Sequence, residues 1–228
     1  MSNLDLYAKI EPMIGFYEEY EELYQVYLDL IKGCEVETIL DIGCGNGNFL
    51  RHLKDYKASG IDISAQMVEI CNTKGLDVKH QEIKDVAKKY DMIVAIADVL
   101  NYMNKDSLNS FLSHISNKLH DNGYFICDIN TPYGFCEVAS GVMVSEDERG
   151  FLSVEADYED GELVTDFTFF EKEKSYYKKH QWSIKQYAHE VSDIAGNLDM
   201  EFIKVVDIKL FSEEFADKSL IIFRKNFN

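Results

Sequence analysis

Basic residues are scarce in this chain. Its 228 residues carry 23 Lys and Arg against 41 Asp and Glu, a formal charge of −18. A field of that sign repels phosphate backbones, so RNA or DNA is a poor substrate. No stretch approaches the ~18 apolar residues of a membrane span. Met1-Ser2-Asn3-Leu4-Asp5 has neither the basic start nor the apolar segment of a signal peptide. The 5 cysteines, Cys34, Cys44, Cys71, Cys127 and Cys136, are odd in number and form no C-x-x-C pair. That pattern offers no zinc site and suits reduced thiols, which leads us to expect a cytoplasmic protein that binds neither membrane nor nucleic acid. His114 and His120 do not share a helical face, and no metal site is expected. The length allows one ample domain with a sizeable core.

The acids are unevenly spread. They crowd residues 146–166, where Arg149 is the lone basic residue. This leans towards a cationic substrate, although acidity also simply aids solubility.

What the chain does have is a glycine turn in strong context. In Ile39-Leu40-Asp41-Ile42-Gly43-Cys44-Gly45-Asn46-Gly47-Asn48-Phe49-Leu50 an apolar run ends in an acid, breaks into alternate glycines and resumes as an apolar helical pattern. Strand, tight turn and helix are expected. A turn of this kind needs residues without Cβ so that a ligand can lie against the main chain. A dinucleotide fingerprint would place its third glycine at 48, which is Asn48, and this disfavours a nicotinamide dehydrogenase. No Lys-Ser/Thr pair follows, so a triphosphate loop is excluded too. A second apolar run, Ala58-Ser59-Gly60-Ile61, ends in Asp62, placed to accept from both hydroxyls of a ribose. Glycine turn and ribose carboxylate together point to an adenosine-type ligand.

Asp41-Ile42-Gly43-Cys44-Gly45-Asn46-Gly47 and Gly60-Ile61-Asp62-Ile63-Ser64 resemble the first two motifs of the class I S-adenosylmethionine-dependent methyltransferases. The resemblance implies an α/β, Rossmann-like doubly wound seven-stranded sheet with an antiparallel final strand. It implies S-adenosyl-L-methionine as cofactor and S-adenosyl-L-homocysteine as product. Asp41, Gly43, Cys44 and Gly45 of the turn, Asp62, Ile63 and Met67 beyond the second strand, and Ala97 after the fourth would hold it. Glu82 and Ile83 fit the acid-apolar pair that meets the adenine, with Asp85 near enough to compete. An N-terminal helical segment folds over the cofactor in similar enzymes and contributes a tyrosine; Tyr7 and Tyr17 are the candidates.

The segments follow in order. Residues 1–34 read as a helical cap, with Leu23, Tyr24, Tyr27, Leu28 and Ile31 at helical spacing and Pro12 and Gly15 as interruptions. Residues 35–133 read as the cofactor-binding core. Its strands are expected at about 38–42, 58–62, 76–80, 90–97 and 124–129, with helices after Gly47, after Ser64 and over 106–119. From 140 to 187 apolar and polar residues alternate about the turn Glu159-Asp160-Gly161-Glu162, which suggests an inserted antiparallel β flap over the cofactor and the substrate pocket. A helix at 188–198 and strands at 201–210 and 219–224 close the chain to 228.

Asp98-Val99-Leu100-Asn101-Tyr102-Met103 resembles a stretch found in amino-sugar methyltransferases and lies at the edge where the methyl group must sit. Neither the Asn/Asp-Pro-Pro-Tyr of amide and exocyclic-amine methylation nor the Pro-Cys of cytosine C5 enzymes is present. The candidates for catalysis are Asp98, Tyr102 and His180, the last because histidine titrates near neutrality. Asn101 and Tyr133 are candidates for substrate contact. The expected reaction is in-line methyl transfer to a small molecule, an amine or amino-sugar nitrogen, by a monomer or homodimer. A small-molecule O-methyltransferase and a non-catalytic adenosylmethionine-binding module are the alternatives, since fold does not determine the nucleophile.

Overall fold

Strands covered by helices on both faces are apolar almost throughout, and Tyr90-Asp91-Met92-Ile93-Val94-Ala95 is the clearest case. In the computed structural model, which describes residues 2–226, it is the central strand of the larger of two sheets. The chain opens with helices α1 (Asn3–Ile14) and α2 (Tyr17–Lys32). Strands β1 (Thr38–Ile42), β2 (Lys57–Asp62), β3 (Val78–His80), β4 (Tyr90–Ala95) and β5 (Leu119–Asn130) follow, with α3 (Ala65–Thr73) and α4 (Lys105–Ile115) among them. Next come β6 (Gly141–Asp147), β7 (Gly150–Glu159), β8 (Glu162–Glu173) and β9 (Tyr176–Tyr187). Helix α5 (Val191–Asn197) and strands β10 (Glu201–Ile208) and β11 (Lys218–Arg224) end the described chain.

The large sheet has seven strands in the order β10-β11-β5-β4-β1-β2-β3. It is parallel from β3 to β5, and β11 and β10 run antiparallel. This is the expected Rossmann-like fold with its antiparallel final strand. Strand order reverses beside β1, where such sheets open a crevice at their carboxyl ends. Alternate residues of each strand serve different layers. Leu40, Ile93 and Phe125 pack with α4 and α5, while Ile39, Met92 and Ile126 meet Leu23, Tyr27 and Ile31 of α2. Each large side chain so buried contributes about 1.5–3 kcal/mol.

Strands β6 to β9 form a separate antiparallel sheet, the expected flap. Asp160 and Gly161, at φ 51° and 84°, make its central hairpin turn. The flap does not lie on the crevice. Its inner face, Leu152, Phe167, Phe169 and Trp182, packs against Ile10 and Met13 of α1. The flap therefore supports α1 from behind, and α1 is what covers the crevice. The acids at 155, 157, 159 and 166 do not line the crevice either, so their lean towards a cationic substrate falls away.

Several boundaries differ from expectation for local reasons. The segment after Gly47 is too short to return to β2 through a full helix; it makes a 3-10 turn, Phe49–His52, that still buries Phe49, Leu50 and Leu53. Pro12 lies within the last turn of α1 without ending it; the break is at Gly15, φ 88°, followed by Phe16 at φ 64°. Helix α4 ends at Ile115, and Asp121-Asn122-Gly123 is an irregularity within β5 instead of a turn before it. There Asn122 has φ 63° and the register against β4 shifts.

Candidate active site

The carboxyl ends of β1, β2 and β4 open into a cavity of ≈ 850 Å³, within the range of roughly 300–1,000 Å³ usual for small-molecule sites. Its floor is the glycine turn. Gly43, Gly45 and Gly47 all have positive φ, but they serve different needs. A Cβ on Gly47 would lie 2.4 Å from Leu76 Cδ1, so that glycine lets the turn pack on α3. A Cβ on Gly45 would meet nothing within 4 Å, and Gly45 lines the cavity. Its bare backbone is a cradle that a side chain would fill.

Asp62 ends β2 and faces this turn. Its Oδ2 accepts from Gly45 N at 2.9 Å and its Oδ1 from Ser64 N at 2.7 Å. Each oxygen keeps a second acceptor position. Burial pushes its carboxyl up, countered by those two N–H donors. Asp41, at the end of β1, is 2 % exposed, and among the described residues no donor reaches its carboxylate. Burial and the nearby Asp62 push its carboxyl well above the ordinary range. Two acids at neighbouring strand ends create a site that a positive charge would relieve.

The sequence candidates divide cleanly. Tyr7, Tyr17, Asp41, Gly43, Cys44, Gly45, Asp62, Ile63, Met67, Glu82, Ile83, Ala97, Asp98 and Tyr102 all line the cavity. Asp85 does not, although Glu82 does. Three candidates lie elsewhere. His180 is on the flap, its Nε2 2.8 Å from Glu171 Oε2, while Lys9 of α1 donates to Oε1 at 2.8 Å. The Lys9–Glu171 pair clamps α1 to the flap, and His180, which buttresses Glu171, lies outside the cavity. Asn101 is fully buried, donating to Tyr187 O at 2.8 Å and accepting from Asn130 N at 2.9 Å. Tyr133 stacks on Phe215, 5.2 Å between ring centres, outside the cavity.

Asp98 reaches the cavity wall, but not as a free base. Lys218 Nζ donates to its Oδ1 at 2.9 Å and Gln186 Nε2 to its Oδ2 at 2.5 Å. The backbone here is unusual. Ala97 and Asp98 both adopt left-handed angles, φ 62° and 57°, costing roughly 1–2 kcal/mol each. Both N–H groups then point one way, and the fully buried Asp128 takes them at 2.9 Å each. Tyr27 Oη adds a third donor at 2.7 Å. Successive backbone N–H groups turned to one side make such an anion-binding nest, here filled by the protein's own carboxylate.

Sequence reasoning missed part of the opposite wall. On α2 the stripe Leu23-Tyr27-Ile31 faces the core, while Tyr17, Tyr20, Glu21 and Tyr24 face the cavity together with Glu11 of α1. The i, i+3, i+7 spacing of the three tyrosines was the available signal. Burial and nearby acids, among them Glu11 and Asp98, push the Tyr7 phenol well up, and Tyr20 and Tyr102 follow for the same causes. All three stay neutral phenols at any working pH. Among the described residues no cluster of His, Cys, Asp or Glu could hold a metal, and no helix is long and apolar enough to cross a membrane.

Fold and cavity have the arrangement of the class I S-adenosylmethionine-dependent methyltransferases. The profile of the methyltransferase-domain family matches residues 17–173, and the chain belongs to that family. An uncharacterised methyltransferase of Alkaliphilus oremlandii is 29% identical over 119 residues, 48% of this chain and 53% of the relative. The alignable part thus spans about half the length of that relative. An S-adenosylmethionine-dependent methyltransferase from Clostridium acetobutylicum shares the fold at TM-score 0.76 and 22% identity, covering 97% of each chain. The sugar N-methyltransferase KedS8 from Streptoalloteichus does so at TM-score 0.75 and 16% identity, covering 99% of this chain and 94% of its own.

Proposed function

We propose that this chain transfers the methyl group of S-adenosylmethionine to a nitrogen of a small molecule, an amine or an amino sugar. One observation carries the reading: a single cavity has a glycine cradle and two buried acids on its floor and a wall of neutral tyrosines opposite. The group that fits the floor is cationic and bears a ribose. Asp62 would take the ribose hydroxyls, Gly45 the close approach of the ligand, and Glu82 with Ile83 the adenine. Asp41 would face its positive charge. When bound, S-adenosylmethionine supplies a methyl group already activated on sulfur.

The residues of this chain then position and enclose. Helix α1 and the Tyr102 ring close the cavity from above and beside, which excludes water and holds the reactants in line. An amine needs only to arrive unprotonated, whereas an alcohol needs a base. The tyrosine wall contains no histidine or lysine, which favours nitrogen over oxygen. The likeness in fold to a sugar N-methyltransferase agrees with this.

Calorimetry with S-adenosylhomocysteine tests the floor. Asp62→Ala removes two charged hydrogen bonds to the ribose, each about 1.5–3 kcal/mol, and should weaken binding well over tenfold. An unchanged dissociation constant would refute the assignment. A metabolite screen with S-adenosylmethionine, read as homocysteine after hydrolysis of the product, tests turnover.

A further inference from the structure

Glu11 is the one acid on the tyrosine wall with nothing to bind. Among the described residues its carboxylate makes no hydrogen bond and no ion pair, although it lines the cavity. Glu21, by contrast, pairs with His52 at 3.2 Å, and Asp98 is held by Lys218 and Gln186. Tyr7, Tyr17, Tyr20, Tyr24 and Tyr102 line the same cavity, and the Glu11 charge helps hold the Tyr7, Tyr17 and Tyr24 phenols up. None of these five hydroxyls has a hydrogen-bond partner among the described residues.

Cationic side chains are nearly absent from the cavity lining. Lys84 is the lone lysine there, its Nζ is 2.9 Å from Glu82 Oε2, and no arginine lines the space. His114 and Lys84 come from α4 and from the turn after β3 that packs against it, whereas Glu11 comes from α1. A phosphate or pyrophosphate on the acceptor would enter next to Glu11 and Asp98, where the neighbouring cations are already paired, Lys218 with Asp98 and Arg149, near Tyr17, with Asp147; such groups are recognised by Arg, Lys or helix N-termini. An ammonium group meets the reverse situation. Electron-rich rings attract it, most strongly when it is desolvated, and an unpaired carboxylate adds to this.

We propose that the acceptor is a free organic amine without phosphate, and that Glu11, with the rings of Tyr7, Tyr17 and Tyr20 on the same wall, meets the positive charge that develops on its nitrogen. This rests on the methyl-transfer reading and narrows it, setting aside nucleotide-linked amino sugars. The nitrogen lone pair forms the new N–C bond as the C–S bond breaks and its electron pair goes to sulfur. Positive charge then resides on nitrogen, which gives a proton to water if it carries one. Glu11 thus stabilises the charge as it develops and favours the product-like ammonium.

Tetramethylammonium mimics that methylated nitrogen. Titrated into the full chain, with and without S-adenosylhomocysteine, it should bind, and thymidine diphosphate should not. Glu11→Gln should weaken tetramethylammonium binding at least tenfold while leaving S-adenosylhomocysteine binding within twofold; Glu18→Gln, on the exposed side of α2, should leave both unchanged. Binding of thymidine diphosphate to the cofactor-product complex, or tetramethylammonium binding that is absent or indifferent to Glu11→Gln, overturns the proposal. Failure of S-adenosylhomocysteine to bind would instead sink the methyl-transfer reading, and the cation titration would stand on its own.

Discussion

Lys218→Met is the most exacting test of how the β4 and β5 ends are held. Lys218 is 5 % exposed, with Nζ 2.9 Å from Asp98 Oδ1, 2.6 Å from Asn130 Oδ1 and 3.7 Å from Asp128 Oδ2. Methionine keeps the length of the side chain and removes the charge, leaving two buried carboxylates without their cation. Removing one partner of a buried pair costs about 3–5 kcal/mol. For a chain of this size that lowers the melting temperature by roughly 10 °C. The pH dependence gives a second readout. Burial alone would push Lys218 down, but Asp98 and Asp128 hold it above the ordinary lysine value. Its contribution is therefore complete below about pH 10.4 and is lost as pH rises through the still higher folded value. Burial pushes Asp128 above the ordinary carboxylate value despite Lys218. Such a group favours the fold most when protonated, so acid should relieve the variant. Urea unfolding at pH 7.5 and pH 5 should show the gap between wild type and Lys218→Met narrowing at the lower pH. Asp98→Asn placed in the Lys218→Met background should recover part of the loss, measured as a double-mutant cycle. A gap below about 1 kcal/mol at pH 7.5, where breaking a buried pair should cost several, would refute the account.

Two glycine substitutions should separate binding from stability. Gly45→Val fills open cavity space and should abolish S-adenosylhomocysteine binding with a small loss in melting temperature, since only its φ of 52° is strained. Gly47→Val meets Leu76 and Cys71 and should cost stability first, so the two thermal melts should rank in the opposite order to the binding losses. Asp5 caps α1 through Ser2 and accepts from Ser64 Oγ at 2.8 Å, tying α1 to the start of α3. Burial is the largest single influence and raises the carboxyl, but donors from Ser2, Ser64 and Gln66 together outweigh it and hold the group well below the usual range. Its contribution is thus present above about pH 3.9 and fades only as pH falls towards the depressed folded value. Asp5→Asn should speed hydrogen exchange in α1 at neutral pH, and unchanged exchange would show that the tie is idle.

The cofactor floor was legible because its demands fall on residue types: alternate glycines, acids at strand ends, and apolar runs between them. The wall above it was harder to read. Tyr20 and Tyr24 lie on a helix whose apolar stripe is also aromatic, so spacing groups Tyr24 with Tyr27 although one faces the cavity and the other Asp128. His180 attracted a catalytic role by residue type alone, and its partner Glu171 lies on the neighbouring strand, a pairing fixed by register. Lys218 and Asp128 gave a fainter signal: charged residues in strands that are otherwise apolar, which a closer reading would have flagged as a pair.

Asp128 touches none of the cavity surface, yet it determines where the chain leaves β4. By filling the nest at Ala97 and Asp98 it sets the starting point of the turn that carries Tyr102. The shape of the cavity beside Tyr102 therefore depends on a carboxylate behind the wall, and a side chain of another length at 128 would leave the Ala97 and Asp98 N–H groups without their acceptor.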